Sequence, residues 1–191
     1  LTEAPYVFVC AEFEIDGGSC LGVAADVLPP KWFTKHPETP LDVEIAEMKQ
    51  VIRRSCALAC DLSPQPTVYK WWRALLDLQK HDGELGGLPP LLNGFGASLL
   101  ERAAIDAYCR RHETCFFSAL REDRFAVELG EIHPELEGSR VADWLPEGPS
   151  TSVRVRHTVG LSDPLTAAEL SASQCIFDGL PQTLEEIVHV G

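Results

Sequence analysis

The chain has 191 residues, 45% of them hydrophobic and 24% charged, which fits one or two small globular domains and excludes low-complexity, collagen-like and wholly disordered architectures. Sixteen Lys and Arg stand against 29 Asp and Glu, a net charge of −13, and the pairs Arg53-Arg54 and Arg110-Arg111 are too short to make a phosphate-binding patch. Nucleic acid and anionic membrane surfaces are therefore poor partners, and no stretch reaches the ~18 apolar residues of a bilayer span.

Tyr6–Ile15 is β-branched, aromatic and partly alternating, the pattern of a strand. Asp16-Gly17-Gly18 follows as a hairpin turn, and Ser19–Ala25 as the returning strand. Val27–Thr39 holds three prolines and reads as a loop, with Lys31, Trp32 and Phe33 at its middle. Thr39-Pro40-Leu41-Asp42 predicts a helix start with Thr39 at the N-cap. Ile45, Met48, Ile52, Ala59 and Leu62 mark its packing stripe, and Ser63-Pro64-Gln65-Pro66 its end.

Val68, Trp71, Leu75 and Leu78 mark a second helix, with Trp71-Trp72 read as packing. His81–Gly96 is rich in Gly and Pro and lacks a phosphate-cradling Gly-x-Gly-x-x-Gly at a strand-to-helix junction. Ser98-Leu99-Leu100-Glu101 reads as a capping box that opens a third helix, with Leu100, Ala103, Ala104, Ala107 and Tyr108 packed inward. Asp106, in that apolar neighbourhood, is expected to bond or ion-pair with Arg102 or Arg110. Residues 121–150 are loop-rich and end in a Pro-Glu-Gly-Pro linker. Val153–Val159 then alternates as a strand, and capping boxes at Thr166–Glu169 and Thr183–Glu186 open two short helices.

The seven cysteines (10, 20, 56, 60, 109, 115, 175) are odd in number and scattered, which reads as reduced thiols in a cytoplasmic protein. No His-x-x-x-His spacing, His/carboxylate cluster or Gly-x-Ser-x-Gly elbow points to a metal site or a serine nucleophile. Glu12 and Glu14 fall on one strand face and read as solvated. His157 closes the predicted strand Val153–Val159, and on a barrel strand that end faces the active site.

The order of hairpin, aromatic loop, helical bundle, Pro-rich linker and βα unit resembles the enolase superfamily, in its mandelate racemase and muconate lactonizing enzyme branch. The stretch Ser98-Leu99-Leu100-Glu101-Arg102-Ala103-Ala104-Ile105-Asp106-Ala107-Tyr108-Cys109 is similar to that branch's Ala-x-x-Ala-Ile-Asp-x-Ala helix, and Phe116–Leu120 continues it. Arg156–Gly160, Asp163–Thr166 and Gly179–Glu186 look like the first barrel unit of a divergent subgroup.

The resemblance implies an α+β fold: an antiparallel β-hairpin followed by a helical bundle as a capping domain over residues 1–150, with the first β/α unit of a truncated (β/α)8 barrel over 151–191. It implies a metal-dependent lyase or isomerase that abstracts a proton α to a carboxylate and stabilises the enediolate on Mg²⁺. The base and the acidic Mg²⁺ ligands sit at barrel strand ends. A barrel takes ~250 residues, so no catalytic residue and no metal ligand is assigned in this chain, which reads as a fragment whose hairpin also lacks a preceding strand. The family's substrate-selecting loop maps onto Leu28–Lys35. Lys31 is then expected to meet the carboxylate of a small substrate, Trp32 and Phe33 to exclude water, and His157 to face the substrate. Homo-oligomers occur in the family. The alternative is a non-catalytic binding or assembly module that reuses a cap-like fold.

Overall fold

The computed structural model describes residues 5–34, 36–154 and 164–190. The chain divides into two compact units, Leu1–Pro149 and Ser150–Gly191. Among the described residues no helix is long and apolar enough to cross a membrane.

The first unit is α+β. Strand β1 (Tyr6–Ile15) pairs antiparallel with β2 (Gly18–Val27), in a register that sets Ile15 opposite Gly18 and Tyr6 opposite Val27. Asp16 (φ 49°) and Gly17 (φ 69°) both lie in the left-handed region. This two-residue turn matches the twist of the strands it joins. Helix α1 spans Leu41–Asp61, α2 Val68–Gly86 and α3 Pro90–Arg111. A short α4 (Phe116–Arg121) leads into a segment of single 3₁₀ turns.

The inner face of the hairpin lies on α3. Leu28, Met48, Leu75, Leu92 and Leu99 are wholly buried there. Each such side chain contributes about 1.5–3 kcal/mol of transfer free energy. Ala97, Ala103 and Ala107 on α3 have no accessible surface, so neighbouring elements approach its backbone closely. A Cβ on Gly22 of β2 would overlap the Ala103 carbonyl oxygen, and one on Gly96 of α3 would overlap the Ser55 hydroxyl of α1.

Several details differ from the sequence expectation. Helix α1 begins one residue late: Pro40 is its N-cap, and no side chain caps it. The carbonyl of Thr39 instead accepts the Lys31 ammonium at 2.5 Å. The buried face of α1 is Glu44, Met48, Val51, Ile52 and Ser55, because two polar residues occupy inward positions that an apolar stripe overlooks. On α2 the same happens: Leu78 is exposed and Gln79 is buried.

The predicted start at Ser98 is also displaced. Helix α3 begins at Pro90, eight residues earlier, and the Ser98 hydroxyl donates back to the Phe95 carbonyl at 2.8 Å. Proline suits the first helical position because its missing N–H would be unpaired there. Gly83 and Gly96 lie inside helices where a crossing side chain, Asn93 or Ser55, leaves no room for a Cβ.

Among its described residues the second unit has little regular structure, one 3₁₀ turn and one short helix. Val153 and Arg154 are irregular, and the rest of the expected strand Val153–Val159 lies outside the described residues. The Thr166–Glu169 box opens a single 3₁₀ turn, Ala167–Glu169, rather than a helix. Ser171 then bonds Gln174 through both its backbone N–H and its hydroxyl, a local alternative to helix continuation. The Thr183–Glu186 box is complete. Glu186 N–H donates to the Thr183 hydroxyl, and Thr183 N–H to the Glu186 carboxylate, both at 3.2 Å, and α5 (Leu184–Val190) follows.

Candidate functional site

The loop between β2 and α1 carries Lys31, Trp32 and Phe33, the three residues singled out by sequence, and the structure places them differently. Lys31 has φ 63°, a conformation that costs a non-glycine residue energy unless its surroundings hold it. Glu44 holds it. Its carboxylate accepts the Lys31 backbone N–H at 2.5 Å and the ammonium at 3.0 Å. The ammonium also donates to the carbonyls of His36 (2.6 Å) and Thr39 (2.5 Å).

An ammonium has three protons, and these three acceptors match them. Glu44 is 4% exposed and the Lys31 side chain 33%, so this is a half-buried anchor that ties the loop to α1. The Lys31 backbone N–H is the largest influence holding the Glu44 carboxyl below its ordinary pKa, and the Lys31 charge adds to it against the cost of burial.

Phe33 packs inward, with its ring 4.9 Å from that of Phe95 on α3. Trp32 is 65% exposed between these two anchored neighbours. A rigid backbone that presents one large amphipathic side chain is suited to contacting a ligand or an apposed surface at little entropic cost. Of these three residues, Trp32 is the most exposed large apolar side chain and the one presented outward. His157 lies outside the described residues.

A second feature was missed by the sequence. A groove of ≈ 710 Å³ runs beside β1, with α1, α2 and the turn between them as its far wall. Phe13 and Trp71 meet edge to face within it, ring centroids 5.3 Å apart. Leu100 and Ala104 of α3, and Cys56 and Leu62 near the end of α1, contribute further lining. Burial pushes the Cys56 thiol up from its ordinary pKa and nearby Cys60 adds to this, so Cys56 is a poor nucleophile. The available sequence signal was weak: a two-stranded sheet of ten-residue strands is too narrow to cover three long helices.

The outer edge of β2 is closed by α3. Asp106 accepts the Val23 N–H at 3.0 Å and the Arg110 guanidinium at 2.8 Å. Burial pushes its carboxyl up, but Arg110 and Val23 together outweigh this and hold it below the ordinary value. Arg102 donates to the Ala25 carbonyl at 3.2 Å and pairs with Asp26 at 2.8 Å. Asp106 of α3 is thus a strand-edge clasp, and of the two expected arginines it pairs with Arg110.

Among the described residues no three His, Cys, Asp or Glu side chains gather into a group that could hold a metal ion. The donors Mg²⁺ needs are not assembled there. No family model matches the chain, no curated protein matches it, and no solved structure matches it.

Proposed function

We propose that residues 1–149 form the substrate-selecting cap of an enolase-superfamily enzyme, and that Ser150–Gly191 belongs to its barrel. The observation that carries this reading is the braced aromatic loop between a hairpin and a helical bundle, with Lys31 and Phe33 as anchors and Trp32 presented outward. In such an enzyme the barrel supplies the base and the Mg²⁺ that stabilises the enediolate. The cap's task is to shape and dry the mouth of the site. Lys31 acts here by fixing the loop, and Trp32 by covering a small carboxylate substrate.

The second unit supports the same reading. Val153 (86%), Phe177 (97%) and Val190 (77%) are among its exposed apolar side chains. Such surface on a short segment favours cover by further structure.

The test is hydrogen–deuterium exchange at the carbon α to a carboxylate, in D₂O with Mg²⁺, using the gene product that carries this sequence and a panel of small carboxylic acids. Exchange is expected for at least one acid and is lost with a chelator. Trp32→Ala is expected to change the ratio of kcat/KM between substrates several-fold. Absence of exchange across the panel overturns the proposal and leaves a non-catalytic binding or assembly module.

A further inference from the structure

Of the seven cysteines, Cys10, Cys60 and Cys115 are exposed. Cys115 stands apart by its surroundings. It is the N-cap residue of α4, and its sulfur lies 3.3 Å from the Ser118 hydroxyl. Among the described residues the other bonded thiols, Cys20 and Cys175, meet backbone carbonyls, which cannot donate to a sulfur. The Ser118 hydroxyl is the largest influence holding the Cys115 thiol below its ordinary pKa, and the Ser118 and Phe117 N–H groups add to it against the cost of burial. The thiolate is the form that attacks an oxidant, so an exposed sulfur beside a hydroxyl donor favours reaction there.

The end of α3 folds the chain back and brings a second thiol near. Thr114 N–H donates to the Cys109 carbonyl at 3.0 Å and Glu113 N–H to the Arg110 carbonyl at 3.3 Å, with Glu113 at φ 49° in the left-handed region. This paired bonding is a Schellman turn. It sets the residue before Cys115 against Cys109. Burial pushes the Cys109 thiol up from its ordinary pKa, and the charges of a Cys115 thiolate and of Asp106 add to this. An exposed, activated thiol beside a half-buried, protonated one is the pairing of an attacking and a resolving cysteine. Cys56 and Cys60 are the other near pair, four residues apart on α1. Helix neighbours at that spacing hold their Cβ atoms ~5–6 Å apart, beyond the ~3.5–4.5 Å that a disulfide takes.

We propose that Cys115 and Cys109 form a peroxide-responsive dithiol, in which Cys115 is oxidised first and Cys109 converts it to a disulfide that staples α4 to the end of α3. The Cys115 thiolate attacks one oxygen of hydrogen peroxide. The O–O bond breaks, Cys115 becomes a sulfenic acid, and the departing hydroxide takes up the proton that the thiol gave, as water. The Cys109 sulfur then attacks the Cys115 sulfur. The S–S bond forms as the S–O bond breaks, and the Cys109 proton leaves with the hydroxyl as a second water. Two thiols are oxidised and one peroxide is reduced. A small thiol reverses the bridge by exchange. The bridge restrains α4, whose Ala119 is buried and whose Phe116 stacks on Phe125 at 5.9 Å.

The experiment treats the reduced gene product that carries this sequence with hydrogen peroxide, quenches it with iodoacetamide over a time course, and maps the thiols by mass spectrometry after trypsin. Trypsin cuts after Arg110 and Arg111, between the two cysteines, so the bridge shows as two peptides joined until a reductant is added. The Cys109–Cys115 pair is expected to be the first disulfide formed. In Cys109→Ser, whose fold an unchanged near-UV circular dichroism spectrum checks, dimedone should trap a sulfenic acid on Cys115. In Cys115→Ser, Cys109 should take up dimedone about tenfold more slowly than Cys115 does in Cys109→Ser. Ser118→Ala should slow formation of the bridge several-fold. A different disulfide formed first, a sulfenic acid that persists on Cys115 of the parent protein with no bridge, or a rate unaffected by Ser118→Ala overturns the proposal.

Discussion

Gly22 and Gly94 show how the same residue type carries opposite consequences. A Cβ at Gly22 would overlap the Ala103 carbonyl oxygen, a backbone atom that cannot swing aside, whereas nothing lies within 4 Å of a Cβ at Gly94 in α3. Gly22→Ala is expected to cost about 2 kcal/mol or more, because β2 must lift from α3. Gly94→Ala should stabilise by about 0.5–1 kcal/mol, because alanine is the better helix former. Urea unfolding of both variants checks the pair.

The buried amides make a related point. Gln79 accepts from Ser55 and donates to Asn93 at 2.9 Å, and Asn93 returns a bond to the Gln79 carbonyl at 2.6 Å. Asn93→Leu is expected to lose about 2–3 kcal/mol, since Gln79 would keep buried polar atoms with no partner. The same denaturant series checks it. None of this was legible in the sequence. Gly94 and Gly96 look alike on paper, and Ser55, Gln79 and Asn93 sit where a hydropathy stripe registers only gaps. Asp106 was legible as a bonded residue because its Arg neighbours are local, but its bond to Val23 spans 83 positions.

At the scale of elements, the β2–α1 loop behaves as one braced unit. The Glu44 carboxyl has its pKa depressed by the Lys31 N–H and charge. The stability it contributes is therefore complete above the ordinary glutamate range and is lost as pH falls through its depressed folded value. Glu44→Gln should lower stability at neutral pH, and the gap to the parent protein should close as the solution becomes strongly acidic. Unfolding curves measured across pH would display that convergence; a constant gap would mean the charge is not what fixes the loop. Phe33→Ala should cost about 2 kcal/mol through lost packing on Phe95, and Trp32→Ala less than about 0.5 kcal/mol, because Trp32 already faces solvent.

The loop itself, the hairpin and its turn were legible, since Asp-Gly between alternating strands and a triplet of prolines are local signals. The division of labour among Lys31, Trp32 and Phe33 was not. It depends on Glu44, a residue thirteen positions away that sequence patterning assigns to a helix surface. The start of α3 was misplaced for a similar reason: Ser98–Glu101 satisfies a capping pattern, but Pro90 and the close crossing at Gly96 extend the helix upstream.

Across the whole molecule, burial is unevenly spread. The core cluster gathers residues from β1, β2, α1, α2 and α3, all within the first unit. Within Ser150–Gly191, Ile176, Phe177, Leu180, Val188 and Val190 are more than 60% exposed, while Thr183, at the start of α5, is 1% exposed. Segments of this size rarely hold a fold without added restraint, and regions with few buried apolar contacts open at low free-energy cost. Limited proteolysis is therefore expected to cut first after Pro149, between Ser150 and Phe177, and to leave a resistant fragment that retains β1 through α4. Mass spectrometry of the time course identifies the sites. Amide exchange in the same protein should be slowest along α3, whose residues Leu92–Ala107 supply ten buried positions. Resistance of the second unit equal to that of the first would mean that its apolar side chains are covered in solution, and the covering surface would then be sought by repeating the digestion across a dilution series. Resistance that falls with dilution points to other copies of the chain, because association is governed by mass action, and resistance that does not points to cover within one chain.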